Sequence, residues 1–518
     1  MKGETFFEKL RDHSIAYVSA FCAFMMLCFV PVVYRNAFFD INRIKVYSVY
    51  AIVPLTLTLM FFAVLLLRNN EEMKLPDKNV LVCFVTVAAF LMSCLLSCFF
   101  SGFSAAVLLG NQGRYCGFLF LLCCAAAFYM IACPGISGKH ILPAIELTVG
   151  VIALLGVLNS MGIDPLGFYD RIKSGQEQMF MSTIGHFDFF GTYMVMLFPL
   201  CAGSYLFSGK RISRWFGFVC CVLSLMGSAA SRTDSALLGV QMGCAALVAL
   251  SGGSLFRLSK ALIVWAIAFL SLPVAGFLMK NGAFGLTYSG PHKLLCEQGL
   301  AYFAAAALFF AAAFCWILAK KRVKAPGRKR MTALVLASLL IAVLLLIAAM
   351  VYFTLIAPEA ELGAASGFLR FNDEWGSYRG FVYTRALDAY GSYSLSEKLF
   401  GKGLDTTKQI LQPYFDHPVI KIVGVFDDTH NQLLQLLLTG GILTAASFAV
   451  FYGVMLYTLY RRAENDPLVC GVAASVFAYM VVMLINVTQP ILIVTYFSLC
   501  ALALSRITYL EKRRRTDQ

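Results

Sequence analysis

The stretch that decides the fold runs from Lys320 to Ile356: KKRVKAPGRKR over residues 320–330, then MTALVLASLLIAVLLLIAAMVYFTLI over residues 331–356. The second part is 26 residues long and carries no charged side chain. Roughly 20 residues of helix span the hydrocarbon core of a bilayer, so this run is long enough to cross. Its backbone groups find no water there and must pair within the segment, which makes it a helix. The first part sets seven lysines and arginines on one flank. Such clusters stay on the cytoplasmic side of a membrane.

The same alternation continues outward in both directions. About fourteen apolar runs lie near 14–34, 46–67, 80–100, 115–134, 141–160, 187–207, 216–231, 235–252, 260–279, 299–319, 331–356, 431–459, 468–487 and 489–506. The first, Ser14 to Tyr34, is too long for a signal-peptide core and lacks a cleavage site, so it reads as a retained span. Alternate connections carry Arg68, Lys74 and Lys78, then Lys210, Arg211 and Arg214, Arg257 and Lys260, the 320–330 cluster, and Arg461 and Arg462. The head (Lys2, Lys9, Arg11) and the tail (Lys512 to Arg515) fall in the same set. This pattern puts the two ends in the cytoplasm, and the even number of runs agrees with it. At 518 residues, 60% hydrophobic and 14% charged, the chain is too apolar for a soluble domain. Its net charge of +14 is a topology signal with anionic-lipid contact, and nucleic acid drops out as a partner.

The opposite connections are 35–45, 101–114, 161–186, the turn near Arg232, 280–298, 357–430 and a turn near Thr488. The long one is the mixed-charge, aromatic segment 357–430, and long loops are uncommon unless functional or disordered. Trp375, Tyr378, Phe381, Tyr383, Tyr390 and Tyr393 supply enough apolar bulk for it to fold, with short helices expected near 376–391 and 403–413. The expected organisation is a transmembrane bundle over 1–356, an extracytoplasmic loop over 357–430, C-terminal transmembrane helices over 431–506 and a basic cytoplasmic tail over 507–518. No phosphate-binding loop occurs on the cytoplasmic side, which excludes an ATP-driven pump. The 17 cysteines sit almost entirely inside spans and without metal spacing, as small packing residues do.

Four features on the loop side carry chemistry. His430-Asn431 opens the run 431–459 and is followed, nine residues on, by Gly441-Ile442-Leu443-Thr444. A histidine at a span end can exchange a proton near pH 7, with Asp427 and Asp428 placed to fix its tautomer, or it can merely cap the helix. Arg232, in Ser231-Arg232-Thr233-Asp234, either lines a wet cavity or pairs with Asp234 in a tight turn. Arg379, in Tyr378-Arg379-Gly380, reads alone as a solvated loop residue. Arg114, in Gly113-Arg114-Tyr115, reads alone as snorkelling to headgroups. Together they read differently. A planar, permanently charged guanidinium matches phosphate oxygens. Several of them near one histidine, beside apolar walls, suit a lipid-linked diphosphate whose leaving group gains charge.

The pattern His430-Asn431, nine residues, Gly441-x-x-Thr444 resembles the signature of the O-antigen ligase family, which includes lipopolysaccharide ligases, O-antigen polymerases and some protein O-oligosaccharyltransferases. Arg379-x-x-x-Tyr383 through Gly401-Lys402-Gly403 is similar to that family's Arg, aromatic, Gly-x-Gly stretch, and Ser231-Arg232 to its Ser-Arg span end. Gly110 to Gly117 and Ser182 to Gly191 also resemble family motifs, with His186 and Asp188 as departures from asparagine. The resemblance covers roughly residues 105 to 455. It implies an all-α polytopic membrane glycosyltransferase, GT-C-like, that uses neither metal nor ATP and takes no cofactor. The donor would be an undecaprenyl diphosphate-linked glycan, and the acceptor a sugar, lipid or protein, at the outer face of the bacterial cytoplasmic membrane. Carried over, His430 is the residue needed for activity. Arg232 and Arg379, with Arg114 as a third, bind the donor diphosphate, and Asn431, Asp428, Gly441 and Thr444 support them. The family usually has about a dozen spans, so 12–14 are expected here, with 216–231 or 235–252 as half-spans. Competing readings are a flippase of lipid-linked oligosaccharide and a cell-wall glycan polymerase. A flippase would show repeats and mid-membrane polar groups, and the polymerase class lacks the His-Asn element.

Overall fold

The computed structural model describes residues 13–66, 78–111, 113–172, 175–486 and 488–516. It is 77% helical, and among the described residues eleven helices are long and apolar enough to cross a membrane. The chain is an all-α polytopic membrane protein. The remaining three apolar runs form the shorter helices Phe118–Ala132, Asp234–Leu250 and Pro467–Met483. At 15 to 17 residues, and about 1.5 Å of rise each, these fall short of a hydrocarbon core of about 30 Å. Of the two expected half-spans, 235–252 is one of these short helices. The run 216–231 is not: it lies within the 20-residue helix Arg211–Ala230. That helix starts among its own cations, so an apolar run underestimates it. Lys2, Lys9, Arg11, Arg68 and Lys74 lie outside the described residues.

Phe187–Phe207 and Pro490–Arg515 stand at the centre, buried nearly all round, whereas Arg328–Ile356 has no buried residue and touches the core chiefly through its first turns. With lipid no more apolar than the core, helices associate through close packing and small residues. The crossing of Phe187–Phe207 with Pro467–Met483 shows this: a Cβ on Gly203 would lie 2.5 Å from the Pro467 carbonyl oxygen, and one on Gly471 would lie 2.8 Å from Leu200 Cα. All 17 cysteines are free thiols, mostly buried among these helices.

The connections without cation clusters meet at one end of the bundle. Asn42 donates to the Gly113 carbonyl and to Gln489, Arg171 to Asn36, Thr183 to the Pro31 carbonyl, and the Ala283 amide to the Met161 carbonyl. The basic connections meet at the other end, where Arg506 binds Asp466 and the Ser137 carbonyl, and Arg328 binds Asn465. The fully buried Lys45 braces the first end. Its Nζ donates to the carbonyls of Val30, Pro31 and Val33, which the helix leaves free where it stops.

Over the first end lies the long loop. The expected helix at 376–391 is present as Trp375–Gly391. The expected helix at 403–413 shrinks to Thr407–Leu411, and Leu395–Phe400 and Pro418–Val423 are additional. Gly401 and Gly403, at φ +74° and +106°, break the chain where an apolar pattern alone would have carried a helix through.

Candidate functional site

The helix Gln432–Arg462 begins on Asn431, whose side-chain oxygen accepts from the amides of Leu433 and Leu434 at 3.0 and 3.1 Å. Asn431 is therefore the N-cap, and His430 stands just outside the helix in the left-handed region, at φ +52°. Histidine is among the few side chains enriched there. The His430 amide donates to Asp428 Oδ1 at 2.5 Å, and Tyr383 donates its hydroxyl to the His430 carbonyl at 3.2 Å. The backbone of the histidine is thus held from two sides. Its ring is not: Nδ1 is buried without a hydrogen-bond partner. The expectation that Asp427 and Asp428 fix the ring's tautomer fails, because Asp428 spends its oxygens on the backbone amide and on Arg114.

Arg114 is buried between two carboxylates, with both Nη groups hydrogen-bonded and Nε in ion-pair contact only. Nη1 donates to Asp428 Oδ2 at 2.6 Å and Nη2 to Asp427 Oδ1 at 3.1 Å, with Nε 3.0 Å from Asp427 Oδ2. Burial opposes the charge on Arg114, and the two aspartates more than offset it, holding the guanidinium's pKa above its ordinary value. In the same way burial would raise Asp427, yet Arg114 keeps it below the usual carboxylate range. Arg114, expected to grip a diphosphate, ties the 427–428 segment to the bundle through both aspartates.

Arg379 lies where Gly376, Ser377 and Tyr378 all take left-handed backbone angles before the regular helix resumes. Glycine takes such angles freely, but Ser377 and Tyr378 do so at a cost, which marks a site whose surroundings over-determine it. Gly380 permits the turn, since a Cβ there would lie 1.9 Å from the Asn372 carbonyl oxygen. Arg379 Nη1 donates to the Gly376 carbonyl at 2.7 Å, while Nε is buried and unpartnered. Arg379 is close enough to His430 for its charge to act on the imidazole, and so is Asp188.

Asp188 lies just after a small hairpin, in the first turn of a helix. Phe180–Met181 pairs antiparallel with Gly185–His186, after which the helix Phe187–Phe207 begins. Gly191, in its first turn, admits the next element: a Cβ there would lie 2.5 Å from Ser231 Oγ and 2.8 Å from Thr233 Oγ1. The Ser231-Arg232-Thr233 turn packs in that space. Arg232, at φ +59°, donates from Nη2 to the Gln178 carbonyl at 3.0 Å and sits 5.6 Å over the Phe187 ring. Its Nε is buried without a partner, and burial lowers its pKa. Of the two alternatives for Arg232, the pair with Asp234 is absent among the described residues: Asp234 contacts His292.

Gly441 and Thr444 lie eleven and fourteen residues beyond His430 on the long helix, on the order of 15–20 Å along its axis. They shape the helix and do not reach the charged cluster. Gly441, at φ +73° and ψ 178°, interrupts the helix. The freed carbonyls are taken up by neighbours: Tyr393 donates to that of Leu438 at 3.0 Å, and the Gly403 amide and Ser97 donate to that of Thr439 at 2.9 and 3.2 Å. A Cβ on Gly441 would lie 2.3 Å from the Leu399 carbonyl oxygen, and one on Gly401 would lie 2.1 Å from that of Thr439. The Gly-x-Gly segment and the kink are thus one interlocked joint. Gly441→Ala should destabilise the protein by at least the 1–3 kcal/mol of such a backbone conformation, measured as a lower melting midpoint of the detergent-solubilised protein. An unchanged midpoint would mean that the joint does not hold the loop.

One member of the group escaped the sequence reading. Asp405 is buried at φ +59°, and its Oδ2 accepts from the Asn111 amide at 2.7 Å. Burial pushes its pKa up to about 6, against the pull of Arg114. Its position directly after Gly403-Leu404 was the available signal. With Arg114, Asp428 and Gln432 it lines a cavity of ≈ 70 Å³, which continues inward to Tyr479 and Tyr496.

Brought together, then, are His430, Arg379, Tyr383, Asp188 and the Arg114–Asp427–Asp428 cluster, with Arg232 joined through Phe187. No curated protein matches the chain. Residues 299–449, which carry Arg379, His430 and Gly441, match the family model described as O-Antigen ligase, so this part of the membrane protein is O-antigen ligase-related.

Proposed function

We propose that the protein transfers a glycan from an undecaprenyl diphosphate-linked donor to a hydroxyl acceptor (a sugar, lipid or protein) at the outer face of the bacterial cytoplasmic membrane, as a ligase or polymerase of surface polysaccharide. The single observation that carries this reading is that the buried Nε groups of Arg232 and Arg379, unlike that of Arg114, have neither a hydrogen-bond partner nor a carboxylate in ion-pair reach among the described residues, with Arg379 acting on a histidine whose Nδ1 is also buried and unpartnered. A donor N–H left open in this way is unfavourable until an acceptor arrives. A diphosphate supplies several acceptor oxygens with full charge.

In the reaction, the acceptor oxygen forms a bond to the anomeric carbon as the bond from that carbon to the diphosphate oxygen breaks. Charge grows on the departing diphosphate, and Arg232 and Arg379 stabilise it. The proton of the attacking hydroxyl passes to the His430 imidazole. Burial holds His430 below its ordinary pKa, so the ring is neutral and able to accept at pH 7. Asp188 and Asp428 favour the imidazolium that results. The diphosphate ester itself carries the free energy, so no ATP is required on that face. In this reading Arg114 holds the His430 segment and does not touch the donor.

Purified protein in liposomes, given a polyprenyl diphosphate-linked glycan and an acceptor, tests the assignment. Arg379→Ala should raise the donor KM and cut transfer by about 10²-fold, the scale of one lost electrostatic donor, with expression and helix content unchanged. Normal transfer by this variant would place the diphosphate elsewhere.

A further inference from the structure

The turn at 231–234 sets a cation and an anion two residues apart, an arrangement that ordinarily ends in an ion pair. Here it does not. Arg232 lies over Phe187 and donates to the Gln178 carbonyl. Asp234, the first residue of the helix Asp234–Leu250, has Oδ1 3.2 Å from His292 Nδ1. His292 belongs to the short helix Gly290–Glu297, in a different connection of the loop end, and its side chain is 1% exposed. It stacks on Tyr288 with ring centroids 5.1 Å apart. Tyr288 in turn donates its hydroxyl to the carbonyls of Ala229 and Leu272, both at 3.1 Å. The imidazole is therefore clamped against the very turn that carries Arg232. Its Nε2 is buried without a partner, so its polar contact is Asp234.

We propose that His292 is a positioning residue that sequesters the Asp234 carboxylate, so that the Arg232 guanidinium stays free for an anionic ligand. A carboxylate within reach would occupy the same fork that a phosphate needs. This inference rests on Arg232 binding the donor diphosphate, and it adds how the protein keeps that site open beside its own anion. It predicts an unusual sign. Losing the histidine does harm because the aspartate is then released, and removing the aspartate as well undoes that harm.

The test is a set of variants assayed for transfer with a polyprenyl diphosphate-linked sugar. His292→Ala should raise the donor KM about tenfold, the scale of one charge-assisted hydrogen bond, with kcat nearly unchanged. Asp234→Asn should keep the wild-type KM, and the double variant His292→Ala/Asp234→Asn should return to it. His292→Gln, which can still donate to Asp234, should stay within about twofold of wild type. A silent His292→Ala overturns the proposal. A double variant no better than His292→Ala also overturns it, since a merely structural pair would be hurt by either change. If His292→Ala fails to fold, the double variant decides: wild-type KM supports the proposal, and a raised KM overturns it. Arg232→Ala separates the two layers. If it transfers normally, the assignment of Arg232 to the diphosphate fails. If it loses transfer while His292→Ala is silent, only the sequestering role fails.

Discussion

His430→Asn should lower glycan transfer by about 10²- to 10⁴-fold, the range that a positioned general base contributes, while leaving the fold intact. Asparagine is the apt replacement because the position sits at φ +52°, where asparagine is as well tolerated as histidine. The backbone contacts to Asp428 and Tyr383 involve the His430 amide and carbonyl, so they survive the change. Nδ1 has no partner to lose. A purely structural histidine would show the reverse: a lower melting midpoint and near-normal transfer. The pH profile gives a second check. Burial lowers the His430 pKa more than the neighbouring carboxylates raise it. The neutral, active form therefore persists below the ordinary histidine value near 6.5. Activity should be full at pH 7, fall only as pH drops through that depressed value, and lose this acidic limb in the variant. A limb at or above the ordinary value would mean that another group supplies the base.

The fold was legible because lipid imposes one rule on every span. Each of the fourteen runs became an apolar helix, eleven of full length and three short. Helix ends were harder, since Arg211 and Arg214 belong to a helix although their charge ends the apolar run. The site was legible in part. Arg232, Arg379 and His430 stand out because a charged or titratable group at a span end is costly without a purpose. Their partners did not stand out. That Asp234 turns to His292, or that Asp428 pairs with Arg114, depends on contacts between residues 58 and 314 positions apart and on which way a left-handed residue directs its neighbours. Gly441 shows the opposite limit. It reads as part of a motif around the histidine, yet its work is steric and lies farther down the helix, against Leu399.

Arg114→Ala is expected to be the most damaging single change at the loop end, and its rescue separates two roles for that arginine. The guanidinium and the Asp428 carboxylate are 9% and 4% exposed and 2.6 Å apart. Deleting one partner of such a buried pair costs about 3–5 kcal/mol, because the other charge is left without a counter-ion. Asp427 adds little to that figure, being 56% exposed. The damage does not stay local: the same Asp428 carboxylate that binds Arg114 through Oδ2 holds the His430 amide through Oδ1. Arg114→Ala should therefore lower the melting midpoint and abolish transfer together. Arg114→Lys keeps the charge but cannot span Asp427 and Asp428 with a planar fork, so it should recover stability only in part. The double variant Arg114→Ala/Asp428→Asn removes the orphaned charge and keeps an oxygen for the His430 amide. If Arg114 acts by positioning, this variant regains both stability and measurable transfer. If Arg114 instead grips the diphosphate, stability returns and transfer does not, because no cation has been restored to bind the leaving group.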